Sequence, residues 1–525
     1  MDCLLSKQNF FSSTKLLFFK LCLGCFLFFI FVFQACSQKP PEADLTLAFE
    51  NDPSSLDPRY PGDAYSAKVQ DLMYQGLLKW GENLQLEPDL AESYEFLTPT
   101  RLKIVLKPDI FFHDGTPLRA QDVIATFQSI QAPDSTSPHR ANFSKLVNLQ
   151  ALDNRTILLD LSEITAPFLS ALTVGIIPKH FIEDSKKSSE IPPGTGPFCL
   201  LKRSQDAWLY LEAFQKYSGT LPKVKSIKIQ VLKDATTRVL KLIKGEVDLV
   251  QNALSWPMLS WIQEHTSLHL ESSPGINYRY LAFNLQDPIL KDRRVRRAMA
   301  MALDRRDLIK HYLAGYAREA TGVLAPSHAF YEGEVLSTTY NPDLAKQLLE
   351  EAGYPDPDGE GPLKRFKISY KTSNQRESLR LARAIARSFE AIGIEVDLKA
   401  YEWGTFYRDI RQGSFQIFTS TWVGIKDPDI YYYLFHSSQT PPQGGNRGYY
   451  KNPQVDRWLE EARLAMDWET RAHLYSEVQK QIALDIPYIS LWWEDNVVVT
   501  SPKVKGYHLS PDASLKGLLS VEVSD

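Results

Sequence analysis

The chain has 525 residues, with 59 Lys and Arg against 63 Asp and Glu and a formal net charge of −4 at pH 7. Its length exceeds what one hydrophobic core supports, so we expect two or three packed units. A hydrophobic fraction of 44% and a charged fraction of 23% exclude a disordered or fibrous chain, and the acidic balance argues against nucleic acid as a partner.

The N-terminus has the pattern of an export signal. Three lysines, Lys7, Lys15 and Lys20, precede an apolar run over residues 21–33, which has the length of a signal-peptide core and is short for a membrane span. The Phe-Gln-Ala-Cys that closes the run resembles the bacterial lipobox. The resemblance implies that residues 1–35 are a lipoprotein signal peptide and that Cys36 is lipidated, with an uncleaved N-terminal anchor as the alternative.

Short strands and helices alternate in the first part of the chain. Apolar or alternating patterns predict strands at residues 45–49, 101–106 and 156–161, and helical spacing predicts helices at 64–78 and 120–130. These pieces predict a small α+β unit that is inserted after the first strand and helix. Beyond them, Cys199 is the one cysteine that follows Cys36, so no disulfide is expected within the folded part.

The remainder of the chain shows a longer strand–helix alternation. Strands are predicted at 208–213, 227–231, 245–250, 280–284, 367–370, 394–398, 415–420 and 488–499. Helices are predicted at 236–242, 292–303, 342–352, 379–392, 403–410, 455–466 and 469–485, and another runs from its N-cap Asp304 to Gly315. The alternation over 367–410 predicts a parallel α/β arrangement.

The helix predicted at 292–303 carries a cluster of arginines. Val295, Ala298, Met299 and Ala302 recur at helical spacing, which places the arginines on the opposite face. No aromatic residues interleave with them, as they would in a nucleic-acid-binding surface. We therefore expect a solvated helix face.

Several motifs carry a family resemblance from about Leu45 to the C-terminus. They are Asp89-Leu-Ala-Glu-Ser-Tyr94, Phe112-His-Asp-Gly-Thr-Pro117, Gly194-Thr-Gly-Pro-Phe198 and Lys244-Gly-Glu-Val-Asp248, with residues 45–58 before them and 280–315 after them. In this order they resemble the solute-binding family 5 proteins, the extracytoplasmic receptors of dipeptide, oligopeptide and nickel ABC importers. The resemblance implies an α/β, two-lobed periplasmic-binding-protein fold of class II, with a hinge between the lobes and an extra inserted α+β domain.

The same resemblance implies a division of the chain after the signal peptide. Lobe I takes residues 36–76, 193–286 and 490–525, the inserted small domain takes 77–192, and lobe II takes 287–489. Closure of two lobes around a ligand is a recognised mode of switching. We therefore expect a monomeric periplasmic receptor, tethered to the membrane by lipid at Cys36, that delivers a solute to an ABC permease and its ATPase subunits.

Ligand specificity is where the sequence departs from the family pattern. Peptide-binding members carry, three residues after a Trp in the second lobe, an Asp that meets the peptide ammonium group. Here the third residue after Trp422 is Ile425, followed by Lys426. A buried ammonium group without its carboxylate is costly, and Asp427 is the candidate replacement. An oligo- or dipeptide, unmodified or modified, is the leading ligand; a nickel or other metal chelate and another non-peptide solute stay open as alternatives.

Eight residues are expected to line the cleft. They are Asp63 and Tyr65 from lobe I together with Trp403, Arg411, Trp422, Asp427, Trp492 and Trp493. Aromatic faces suit varied side chains, and Arg411 suits a carboxylate. Trp492 and Trp493 alternate in a strand, so one of the pair is expected in the core, and Arg411 has the alternative role of stabilising a helix C-terminus.

The sequence carries no catalytic or cofactor signature. We find no Gly-x-Ser-x-Gly elbow and no phosphate-cradling Gly-Lys-Ser/Thr loop, so ATP hydrolysis is expected in partner subunits. His265 and His269 lack the Glu of a zinc motif, and no metal site is predicted. We expect a binding protein that is not an enzyme and needs no cofactor, with an exported hydrolase as the more distant alternative.

Overall fold

The computed structural model describes residues 42–60, 62–184, 190–359, 361–442 and 444–524. The predicted signal peptide, residues 1–35, and the predicted lipidation site Cys36 lie outside the described residues. Residues 43–525 group into one unit by their contacts. Within the described ranges, no helix combines the length and the apolar character that crossing a membrane requires.

Most strands join one mixed sheet. In chain order the strands are β1 Leu45–Phe49, β2 Leu78–Trp80, β3 Leu86–Pro88, β4 Ala91–Thr98, β5 Arg101–Leu106, β6 Leu146–Ala151, β7 Thr156–Leu161, β8 Phe198–Ser204, β9 Trp208–Ala213, β10 Ser226–Val231, β11 Leu249–Gln251, β12 His269–Phe283, β13 Ala317–Glu319, β14 Phe366–Ser373, β15 Ile394–Tyr401, β16 Ile417–Trp422, β17 Tyr488–Thr500, β18 Val504–Lys505 and β19 Glu522–Val523. The large sheet has the order β15–β14–β16–β12–β17–β11–β1–β10–β9–β8, and β13 also pairs with β17. Within it β1 is parallel to β10 and β11, and β14 is parallel to β15 and β16.

Helices cover both faces of the sheet around β12. The helices are α1 Ala64–Met73, α2 Ala120–Gln131, α3 Phe168–Ala171, α4 Lys179–Glu183, α5 Ala235–Ile243, α6 Trp256–His265, α7 Arg293–Met301, α8 Arg305–Tyr312, α9 Pro342–Glu351, α10 Arg376–Glu390, α11 Trp403–Arg411, α12 Ile430–Phe435, α13 Pro453–Leu464 and α14 Trp468–Asp485. Leu281 and Phe283 pack with α7, α9 and α10, whereas Tyr280 and Ala282 pack with α11, α13 and α14. The α/β fold class that the sequence predicts is confirmed.

Strands β12 and β17 form a long antiparallel ribbon through the middle of the sheet. In the order of the sheet, β17 stands between β12 and β11, so the ribbon joins the two halves. The register shifts between Ser273 and Asn277. At this point Gly275 lies so close to Glu494 that a Cβ would stand 2.3 Å from the Glu494 carbonyl oxygen. The ribbon therefore requires glycine here.

A second, antiparallel sheet has the order β4–β5–β7–β6. Its apolar face, with Leu102, Ile104, Ile157 and Leu159, packs in one core with α2. This sheet and α2 form an α+β unit inside residues 77–192, as the sequence indicates. The boundaries of that unit and of the two lobes stay predictions.

The first helix is shorter than its apolar spacing suggests. It was expected over 64–78, but it ends at Met73, and Tyr74 is extended. Gly76 then packs so closely on Thr173 that a Cβ would stand 2.6 Å from that backbone, and Leu78 begins β2. The helix prediction is wrong for 74–78 because packing against a distant segment overrides the local pattern.

The arginine cluster is only partly solvated. Arg294 lies on the exposed surface, but Arg296 is 4% exposed. Its guanidinium donates hydrogen bonds to the carbonyl oxygens of Ile486, Leu290 and Lys291 at 2.8–2.9 Å and to that of Asp485. The expectation of a solvated face is wrong for Arg296, because its side chain satisfies carbonyls at the C-terminus of α14.

Candidate functional site

Two adjoining cavities, called here the paired cavities, lie between parts of the chain that precede β10 and the chain that follows β16. The larger, of about 690 Å³, has one wall from residues 80–174 and the other from residues 422–463. The smaller, of about 380 Å³, extends towards α1 and residues 516–519. Both are lined by Trp80, His139, Thr173, Val174 and Lys426. Volumes of this size are typical of small-ligand sites.

The loop over 423–429, between β16 and α12, forms one wall and is held from beneath. Gly424 has a positive φ of 67°, and its N–H donates to Asn277 Oδ1 at 3.1 Å. Ile425 is buried in a core. His328 Nε2 donates to the Lys426 carbonyl oxygen at 2.9 Å, and burial lowers the pKa of His328, which keeps the ring neutral. The loop is therefore fixed, with the side chains of Lys426 and Asp427 on the cavity wall.

Trp422 supplies an aromatic surface at the end of β16. Its ring is parallel to that of Tyr280, with a centroid distance of 6.3 Å, and meets Tyr433 edge-on at 6.1 Å. The guanidinium carbon of Arg447 lies 5.1 Å from the Trp422 ring centroid. Stacking of this kind fixes the indole plane, so a preformed flat surface borders the larger cavity.

Lys426, which lines both cavities, forms a partly buried ion pair. Its Nζ lies 2.7 Å from Asp512 Oδ2, and the Asp512 side chain is 3% exposed. Ser510 Oγ and the Ser514 N–H donate to Asp512 Oδ1 at 2.7 and 3.0 Å. Burial alone would raise the pKa of Asp512, but Lys426 and these hydrogen bonds hold it well below its usual value, so the carboxylate is ionised.

Two acids of the loop, Asp427 and Asp429, are linked to residues 166–170, Asp427 directly and Asp429 through Arg463. Ser170 Oγ donates to Asp427 Oδ2. Asp429 forms an ion pair with Arg463 at 3.1 Å, and the Ala166 N–H donates to the Arg463 carbonyl oxygen at 2.8 Å. Burial raises the pKa of Asp429 to about 7, with a contribution from Asp427 and opposition from Arg463. Aromatic surface and charges of both signs thus border one space, an arrangement that suits binding of a ligand with apolar and polar groups.

Trp422 and Asp427, of the eight predicted cleft residues, line the larger cavity together. Asp63 instead caps α1: its carboxylate accepts hydrogen bonds from the Tyr65 N–H at 2.8 Å and the Ser54 hydroxyl at 2.6 Å. Partial burial acts to raise the pKa of Asp63, yet hydrogen bonds from Ser54 and Ser66 lower it to about 2. Tyr65 packs against the core that contains β1.

Trp403 and Arg411 lie on α11 and do not line the paired cavities. Trp403 is 46% exposed and stacks on Tyr407 at 5.8 Å. Arg411 stands in the last turn of the helix, with its guanidinium carbon 5.8 Å from the same Tyr407 ring. The position fits the alternative role of Arg411 at a helix C-terminus.

Trp492 and Trp493 are both buried, at 2% and 3% exposure. Their side chains point to opposite faces of β17, so Trp492 enters the core with α7, α9 and α10 and Trp493 enters the core with α11, α13 and α14. The sequence indicates a core position for one of the pair, and the structure places both in cores, because helices cover both faces of the sheet here.

Many residues that line the larger cavity were not among the predicted site residues; those that contact the loop or the Trp422 ring, or belong to the loop, include Ser170, Lys426, Tyr433 and Arg463. Ser170 and Arg463 come from segments far apart in sequence, and no local pattern marks them. Lys426 could have been recognised from the sequence, because it lies in the loop after Trp422 in which the family pattern has an acid.

The sequence of this chain is similar to those of known proteins along most of its length. The family described as bacterial extracellular solute-binding proteins, family 5 middle, matches residues 85–443. The oligopeptide-binding protein AppA of Bacillus subtilis is 27% identical over 501 residues, 91% of each chain. The glutathione-binding protein GsiB of Pectobacterium atrosepticum is 28% identical over 499 residues, 92% of this chain and 94% of the relative.

The fold of this chain is also similar to those of solved structures. AppA from Bacillus subtilis in complex with a nonapeptide superposes with a TM-score of 0.74 and 25% identity, covering 93% of this chain and 100% of AppA. NikZ from Campylobacter jejuni in complex with Ni(L-His) superposes with a TM-score of 0.76 and 26% identity, covering 92% of this chain and 100% of NikZ.

The fold and the matched sequence define an extracellular solute-binding protein. Within that class, the chain belongs to family 5 of the bacterial extracellular solute-binding proteins.

Proposed function

We propose that this protein is the receptor of an ABC importer that captures peptides by closure of its lobes and delivers them to the membrane permease. The observation that carries the proposal is the likeness, over nine-tenths of the chain, to AppA, which is named for oligopeptide binding and was solved with a nonapeptide. The paired cavities support it, because a peptide presents both apolar side chains and polar backbone groups to such a wall.

The proposed ligand contacts are Trp422 and Asp427. The indole face takes apolar side chains of varied shape, since aromatic packing tolerates different partners. Asp427 accepts hydrogen bonds from the ligand. Its present partner, Ser170, lies on the opposite wall, so a ligand that takes up Asp427 also separates these two side chains.

The proposed location of the protein is outside the cytoplasm. Residues 1–35 act as a lipoprotein signal peptide, and lipid at Cys36 tethers a monomer to the periplasmic side of the membrane. The partners are the permease with its ATPase subunits, and nucleic acid has no part. The protein releases its ligand unchanged and is not an enzyme.

A second candidate ligand is a nickel or other metal chelate. The observation that favours it is the likeness to NikZ, which was solved with Ni(L-His) and superposes with a TM-score of 0.76. Another non-peptide solute is the remaining possibility of this class.

Native mass spectrometry of the soluble form starting at Ser37, purified without refolding, tests the ligand class. A mixture of co-purified masses that match short peptides is expected. A single non-peptide mass, or a mass that contains a metal, would contradict the peptide proposal and favour the second candidate.

Incubation with an equimolar mixture of synthetic peptides tests the non-catalytic part. Thermal unfolding is expected to shift upwards while chromatography shows the peptides unchanged. Appearance of cleavage products at catalytic protein concentrations would contradict a receptor and favour an exported hydrolase.

A further inference from the structure

The ion pair between Lys426 and Asp512 occupies an unusual place, because its lysine lines both of the paired cavities while its carboxylate is buried behind it. Lys426 belongs to the loop after β16, and Asp512 belongs to the chain that follows β18. Lys426 lines both cavities, so its side chain stands where they adjoin. A ligand that fills both cavities must pass this ammonium group.

The carboxylate of Asp512 is fully engaged. One oxygen accepts from Ser510 and Ser514, and the other meets Lys426 Nζ at 2.7 Å. With 3% of its side chain exposed, Asp512 has no free face for a second cation. Removing Lys426 would leave the buried carboxylate without its ion-pair partner, which favours a cation that can replace it.

Further charged groups interact with the Lys426–Asp512 pair. Asp71 also lines the smaller cavity and interacts electrostatically with Lys426, Lys516 and Asp512. Lys68 lies close enough to Asp512 to interact with it, and burial lowers the pKa of Lys68 to about 8. Asp512 thus already interacts with Lys426, Lys68 and Lys516, so a further cation brought by a ligand would meet these ammonium groups beside the carboxylate.

We propose that Lys426 provides, from within the protein, the ammonium group that a free-amine peptide would otherwise bring to Asp512, and that it thereby selects peptides with an acylated, uncharged amino terminus. An ammonium group has three N–H donors, and Asp512 accepts one of them. The others suit an acyl carbonyl oxygen at the border of the cavities. The proposal deepens the peptide function above and rests on it.

The test compares two synthetic libraries of tri- to pentapeptides with identical composition, one with free amino termini and one N-acetylated. Binding is measured by competition in native mass spectrometry. The unmodified protein is expected to retain acetylated peptides at least tenfold better than free-amine peptides. Lys426→Met is expected to reverse the preference by tenfold or more, because Asp512 then accepts the peptide ammonium group. Adding Asp512→Asn to Lys426→Met is expected to abolish that gain.

Lys371→Met is the matched control. Lys371 forms an ion pair with Asp409 at the same distance of 2.7 Å, with side chains 12% and 22% exposed, and it does not line the paired cavities. This variant is expected to keep the preference of the unmodified protein. A reversal in Lys371→Met as large as in Lys426→Met would overturn the assignment to Lys426.

Three other outcomes would also overturn the proposal. Retained peptide binding with the same preference in the unmodified protein and in Lys426→Met would overturn the role of Lys426 and leave the peptide function standing. Absence of binding by the unmodified protein to either library would overturn the peptide function and the proposal together. Asp512→Asn alone keeps the lysine and is expected to keep rejecting free amines, so a gain of free-amine binding in this variant overturns the proposal even where Lys426→Met fails to fold.

Discussion

Replacement of Trp422 by alanine is expected to weaken peptide binding about 30-fold. A tryptophan side chain buries about 150–250 Å² in a contact. Trp422 already packs against Tyr280, Tyr433 and Arg447, so roughly 80–100 Å² remains for a ligand in the larger cavity. At about 25 cal/mol per Å², this area contributes about 2 kcal/mol, which corresponds to about 30-fold in Kd.

Isothermal titration calorimetry with one peptide identified from the co-purified mixture measures the effect. Trp403→Ala is the control, since Trp403 is also a tryptophan but is 46% exposed on α11 and does not line the paired cavities. Its Kd is expected to change less than about twofold. Thermal unfolding of both variants checks that the fold persists. A Kd for Trp422→Ala within about threefold of the unmodified protein would refute the reasoning, as would an equal loss in Trp403→Ala.

Two other predictions concern the free energy of unfolding and its dependence on pH. Arg296→Ala is expected to lower the free energy of unfolding by about 3–5 kcal/mol in urea titrations, because four backbone carbonyls lose a buried guanidinium. Arg294→Ala, on the exposed part of the same helix, is expected to cost less than about 1 kcal/mol, and equal losses would contradict this account. Asp63 has a pKa of about 2 in the folded protein against an ordinary value of 3.8, so it contributes stability at neutral pH that is lost as the pH falls from about 4 to about 2. Asp63→Asn should therefore flatten the fall in unfolding temperature between pH 6 and pH 3, and an unchanged slope would show that Asp63 is not responsible.

Local signals predicted those parts of the fold that depend on neighbouring residues. Strands β5 and β7 begin and end where the alternation of apolar residues places them. Asp304 caps α8 as its position suggests, with its carboxylate accepting from the Asp307 N–H at 3.0 Å. Gly393, with a positive φ of 86°, follows the end of α10. Patterns of this kind act over one or two turns, so a single segment carries them.

Contacts between distant segments account for what the sequence did not predict. Arg296 looked like a surface arginine, and only the position of the C-terminus of α14 shows which carbonyls it serves. The two tryptophans of β17 could not be assigned to cores without knowing that helices lie on both faces. In the candidate site, Lys426 and Asp427 share a loop, but their partners Asp512 and Ser170 come from distant parts of the chain.

The position of β17 has a consequence for how the chain is made. It is the last strand of the large sheet in sequence, yet it stands between β12 and β11 in the middle. Strands β1, β10 and β11 leave the ribosome long before the strand that connects them to β12 exists. Pairings over such sequence separations form slowly, so the sheet is completed only when residues 488–500 are available. For a chain that we propose to be exported, this order of assembly keeps the nascent protein open until it has almost entirely crossed the membrane.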